Sequence, residues 1–128
     1  ILPVKGRLSG FFGSQRILNS KPRSPHNGID IAQKEGAEIL APASGRVKLV
    51  ENNMFFTGNT LIMDHGLGLI SIFAHMKKIN VKNGQYVDLG EKIGEVGMTG
   101  RATGPHLHWG VYLLEKPVDP LSLVQSDF

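Results

Sequence analysis

No run of this chain carries the 3.6-residue apolar period of a long amphipathic helix. Its apolar residues come instead in short β-branched and aromatic runs, broken by 16 glycines and 7 prolines in 128 residues. Breakers at that density turn the chain every few residues, which favours short strands joined by tight turns. The expectation is an all-β, or strongly β-biased, fold with short connecting loops. One hydrophobic core suffices at this length, so residues 1–128 read as a single domain with 1–6 and 121–128 peripheral to it.

Taken in order, Arg7 to Gly13 reads as a strand ending in a glycine turn, and the polar stretch from Ser14 to Pro25 as a loop. Asn27-Gly28 turns the chain into Ile29-Asp30-Ile31, a strand with Asp30 on the face opposite the isoleucines. Residues 38–51 read as two strands around Pro42-Ala43-Ser44-Gly45, the second alternating Val47 and Leu49 with Arg46 and Lys48. Residues 59–64 and 68–75 form a hairpin around His65-Gly66-Leu67, with His75 closing its second strand. Short strands over 81–90 and 92–97 follow, then the loop 98–103, then a buried strand entered through Gly104-Pro105. Pro117 and Pro120 punctuate a C-terminal segment that packs on the surface or folds a short turn. Met54-Phe55-Phe56 is an apolar cluster in a polar connection, which either lines a groove or tucks into the core margin.

Composition narrows the function. The formal charge of +3 is spread along the chain, so an anionic polymer surface is an acceptable partner and a nucleic-acid groove is not indicated. Without cysteine there are no disulfides and no thiolate chemistry, which fits an exported or a cytosolic protein equally. No segment reaches the roughly 18 apolar residues of a membrane span. Ile1-Leu2-Pro3-Val4 lacks the pattern of a signal peptide, so the chain reads as a mature or excised domain.

The chemistry concentrates in Gly104-Pro105-His106-Leu107-His108-Trp109-Gly110. Alternate side chains of a strand share a face, so His106 and His108 point the same way with Cα atoms roughly 6.5 Å apart. Alone, a His-x-His pair proves little. His26 and Asp30, four apart across a bent loop and a strand, supply another imidazole and a carboxylate. With one histidine of the 106/108 pair they make the three-ligand set of a hydrolytic zinc, which leaves a fourth position for water. The other histidine of the pair and His75 are then available as proton carrier and oxyanion partner. His65, in a turn beside glycine, reads as structural and is left out of the site.

Together, His26-x-x-x-Asp30, Ala74-His75 and Gly104-Pro105-His106-Leu107-His108 resemble the lysostaphin/LytM-type zinc metallopeptidases, which cut peptide bonds in bacterial peptidoglycan. Order, spacing and flanks agree along essentially the whole chain, including Ala41-Pro42-Ala43-Ser44-Gly45-Arg46-Val47, Asp64-His65-Gly66 and Gly97-Met98-Thr99-Gly100. The resemblance implies that His26, Asp30 and His108 bind Zn²⁺, that His75 and His106 assist the water and the tetrahedral oxyanion, and that a groove crosses a compact antiparallel sheet. It implies export to the periplasm or the cell wall, a peptidoglycan peptide as substrate, and room for an inhibitory upstream segment in a longer precursor. It says nothing of oligomeric state. Two other readings go with the same fold: a non-catalytic module that regulates cell-wall amidases, and a zinc-bearing protein without turnover. The family also divides between cleavage of glycine-rich cross-bridges and of bonds to D-amino acids, a choice placed in the loops 14–25 and 52–58.

Overall fold

The computed structural model describes residues 1–10, 17–18, 21–22, 28–100 and 104–123. The strands are β1 (Arg7–Gly10), β2 (Ile17–Leu18), β3 (Lys21–Pro22), β4 (Gly28–Ala32), β5 (Glu38–Leu40), β6 (Gly45–Met54), β7 (Gly58–Gly66), β8 (Leu69–Ile79), β9 (Tyr86–Val87), β10 (Lys92–Val96), β11 (His106–Leu113) and β12 (Lys116–Val118). Ten of them form one antiparallel sheet in which β1, β4, β11, β8, β7, β6 and β9 lie side by side. β12 pairs with β11, and β10 pairs with both β5 and β8. β2 and β3 form a separate two-stranded ribbon inside the stretch expected as a loop. The helical content of the described residues is a 3₁₀ turn at Pro120–Leu123, and no helix among them is long and apolar enough to cross a membrane. The all-β expectation therefore holds.

Two long strands change partners along their length. β11 pairs with β4 over His106–Gly110 and with β12 over Val111–Leu113, while β8 stays beside it from His108 onward. β8 in turn leaves β11 at Ala74 and takes up β10 from Met76 to Ile79. That second exchange brings the β5–β10 ribbon, with Ile39 and Ile93, into one buried cluster with Leu61, Met63, Phe73, Met76, Leu107 and Trp109. Val4 joins the same cluster, and Pro3 O accepts the N–H of Leu40 at 2.7 Å. Burying such side chains contributes about 1.5–3 kcal/mol each before the entropy of ordering is subtracted.

Several local expectations are corrected. β8 does not end at His75 but runs on to Ile79. The β7–β8 turn is Leu67-Gly68, both with positive φ (54° and 80°), while His65 and Gly66 belong to β7. The two strands expected around residues 42–45 are present as β5 and β6, and they pair elsewhere, β5 with β10 and β6 with β7 and β9. In β6 the register shifts between Val47 and Leu49, which passes Leu49 to the outer face and lets Val50 pack on the core. Of residues 81–90 only Tyr86–Val87 pair as a strand. The C-terminal segment adds β12 as a short partner for β11, with Pro117 at the edge where its missing N–H is harmless. Met54, Phe55 and Phe56 do not tuck into the core, being 43%, 70% and 63% exposed.

His65 serves the fold. Its Nδ1–H donates to Ser44 O at 2.9 Å, so Nε2 accepts from the Ser71 hydroxyl at 2.7 Å. Ser71 Oγ accepts in turn from the Trp109 indole N–H at 3.3 Å. This chain, partly exposed at His65 and buried at Ser71 and Trp109, ties β7, β8 and β11 together. Two substitutions test the packing in urea unfolding: Phe73→Ala, in the fully buried cluster, should cost about 3–5 kcal/mol. Leu67→Asn, at a 98% exposed position with φ of 54°, should be neutral or slightly stabilising.

Candidate active site

Leu107 and Trp109 point from β11 into the core, which leaves His106 and His108 on the opposite face. Across β4, Asp30 stands directly opposite His108 in the register, and across β8 the partner of His108 is Ala74. Asp30 is buried, and its Oδ1 accepts from His108 Nδ1 at 2.8 Å, with His106 Nε2 3.8 Å from the same oxygen. Two glycines reserve the space. A Cβ at Gly10 would lie 2.5 Å from Asp30 Oδ2, and one at Gly28 would lie 3.0 Å from His108 Cε1 and 2.5 Å from Trp109 O.

His75 enters where β8 exchanges β11 for β10, with φ of 61°. Its backbone N–H donates to Thr57 O at 2.7 Å and its Nδ1–H to Thr99 O at 2.6 Å. Its ring centre lies 4.9 Å from that of His106 and 6.5 Å from that of His108. Burial pushes the His75 imidazole below its usual pKa; the bond to Thr99 opposes this, and the neighbouring His106 and His108 add to it. His106 is oriented in the same manner, Nδ1–H donating to Gly104 O at 2.9 Å. In each ring a carbonyl fixes the proton on Nδ1 and so puts the lone pair on Nε2.

Of the five residues singled out in the sequence, Asp30, His75, His106 and His108 thus come together, and His26 lies outside the described residues. Among the described residues no group of three His, Cys, Asp or Glu side chains composes a metal site. The donors that are described nevertheless suit zinc: a carboxylate oxygen and an imidazole nitrogen converge from adjacent strands, in a cradle that a Cβ at Gly10 or Gly28 would fill. Thr57, Asn59 and Thr99, which frame His75, escaped sequence reasoning; the one signal was the glycine spacing of Gly97-Met98-Thr99-Gly100.

The open face continues from His108 through Gly110 to Tyr112, and beside it from Ala74 through Ile72 to Ile70. At the far end of this face Ile70, Ile72 and Tyr112, with Lys48, Leu49, Ile62, Gly68, Leu114 and Glu115, line an open, largely apolar trough of about 920 Å³; Asp30, His75, His106 and His108 are not among its lining residues.

Comparison with known proteins fits this geometry. The sequence profile of peptidase family M23 matches residues 24–120. The chain is 36% identical over 118 residues to the peptidoglycan DD-endopeptidase ShyA of Vibrio cholerae, an alignment covering 91% of this chain and 27% of ShyA. Its fold superposes with a TM-score of 0.85 on a zinc-containing peptidase from Vibrio cholerae, at 36% identity over 91% of this chain and 37% of the other. It superposes with a TM-score of 0.81 on the catalytic domain of lysostaphin from Staphylococcus simulans, at 26% identity over 94% and 93% of the two chains. The chain therefore spans about a quarter of ShyA and nearly all of the lysostaphin catalytic domain. With a profile match over three quarters of its length and the His-x-His strand set against Asp30, the chain belongs to peptidase family M23, the metallopeptidases.

Proposed function

We propose that this domain is a zinc-dependent endopeptidase that hydrolyses peptide bonds of bacterial peptidoglycan, acting outside the cytoplasm in the periplasm or at the cell wall. The observation that carries the reading is the convergence of Asp30 Oδ1 and His108 Nδ1 at 2.8 Å beside two imidazoles whose protons are fixed on Nδ1. Asp30 and His108, with His26, would hold the ion. Zinc, when bound, supplies a Lewis acid and lowers the pKa of water toward about 7.

The remaining steps belong to the side chains. One of the two imidazoles takes the proton of the attacking water at Nε2 and returns it to the departing amine. The other, when it carries a second proton at Nε2 beside the one held on Nδ1, donates to the oxyanion of the tetrahedral intermediate. Thr99 and Gly104 keep both rings from rotating, since a turn of either would give up the bond at Nδ1. An extended peptide laid across the open sheet face beside His108 presents its main chain to the site, which suits substrates with small side chains.

Similarity to ShyA, and to ShyB of the same species at 41% over 97 residues, supports a bond between D-amino acids in directly cross-linked stems over a glycine bridge. Retention of Asp30, His75, His106 and His108 around one point supports the enzyme over an amidase-regulating module. Purified cell walls of both cross-link types, digested and resolved by mass spectrometry, test the choice. Directly cross-linked dimers should fall to monomers while pentaglycine bridges persist. Cleavage of casein with neither wall peptide cut would refute the peptidoglycan reading.

The division of roles predicts a division of phenotypes. Asp30→Ala and His108→Ala should lose zinc in elemental analysis. His75→Ala should keep one zinc per chain while kcat falls about 100-fold or more, the scale of a lost acid–base or oxyanion group. A metal-free His75→Ala protein, or one with unaltered kcat, would overturn the assignment.

A further inference from the structure

We propose that Thr99, anchored through Asn59, is a positioning residue that fixes the tautomer and place of His75 for turnover; this rests on the reading of His75 as an assisting residue. The Thr99 carbonyl is the acceptor for His75 Nδ1–H, at 2.6 Å. That carbonyl belongs to the loop between β10 and β11, and its position is set by the hydroxyl of the same residue. Thr99 Oγ1 donates to Met76 O at 2.9 Å and accepts the backbone N–H of Asn59 at 3.0 Å. The Asn59 side chain shares one of these partners and adds a tie to β6: Nδ2 donates to Met76 O at 2.9 Å and Oδ1 accepts from Asn53 N–H at 3.0 Å. One hydroxyl therefore fastens the loop to β7 and to β8 immediately after His75.

Glycines make this closure possible. A Cβ on Gly58, which has φ of 65°, would stand 2.3 Å from Thr99 Oγ1. One on Gly100, with φ of 74°, would stand 2.4 Å from Gly58 N, and one on Gly97 would stand 2.8 Å from His75 O. The β6–β7 turn and the 97–100 loop are thus pressed together around Thr99, and the turn's own Thr57 O takes the His75 backbone N–H at 2.7 Å. The ring and the backbone of His75 are held by two loops that Thr99 joins. If the hydroxyl is lost, the carbonyl is released and the proton of His75 is no longer confined to Nδ1.

The test compares Thr99→Val, nearly isosteric, with Thr99→Ser, which keeps the hydroxyl, and with Thr99→Ala, which crowds nothing. Each zinc-loaded protein is assayed on a soluble directly cross-linked muropeptide dimer, with His75→Ala as the reference. Valine and alanine should lower kcat about 10-fold or more with KM within about twofold and zinc content unchanged, and serine should restore turnover to within about threefold. In ¹⁵N-histidine NMR the Nδ1–H signal of His75 should persist in the wild type and in Thr99→Ser, and broaden by exchange in the other two. A fall in thermal stability with kcat intact, or a change confined to KM, would overturn the proposal while His75→Ala remained inactive. Wild-type turnover by His75→Ala would instead remove the reading on which it rests.

Discussion

A slip of one residue in the pairing of β11 with β4 would turn His106 and His108 into the core and bring Leu107 and Trp109 onto the open face, because side chains alternate across a sheet. The site depends on that register. The pairing of Asp30 with His108 and of Ala74 with His108 places a carboxylate on one side of the imidazole and a methyl group on the other. Leu107 and Trp109 enforce it from below, since exposing either would forfeit a few kcal/mol of buried apolar surface. The indole N–H adds direction, reaching Ser71 and through it His65. Packing on one face of β11 thereby decides chemistry on the other.

How far the sequence could be read follows from the range of the interactions involved. The shared face of His106 and His108 and the position of Asp30 opposite its isoleucines depend on strand alternation, which is local and was legible. The hairpin of β7 and β8 was legible too, though its turn lies two residues further on, at Leu67-Gly68. The course of β8 beyond His75 was not. It depends on β10, some twenty residues later, taking over as partner, and no pattern within β8 announces that exchange. The bulge at Val47–Leu49 is similar: the residues alternate in sequence, but the register with β7 reassigns Leu49 to the outer face. Resemblance to a family supplied the roles of the histidines, and the contacts of Thr99 and Asn59 emerged only in three dimensions.

The two assisting histidines share a device. Each is bound at Nδ1 by a backbone carbonyl, and neither carbonyl belongs to a regular strand. Gly104 is two residues from His106, so that bond is a local turn feature. Thr99 is 24 residues from His75, so its bond depends on the tertiary fold. Disturbance of loop packing should therefore reach His75 sooner than His106.

Trp109 is the one tryptophan in the sequence, and it is nearly buried beside His108. An indole so placed makes the chain its own spectroscopic probe. Its emission arises from a single strand, the one that carries both histidines of the pair, and its N–H bond to Ser71 couples that signal to the core. Quenching or a spectral shift on changing solvent, metal or substrate thus reports on β11 itself, with no contribution from another tryptophan to be separated.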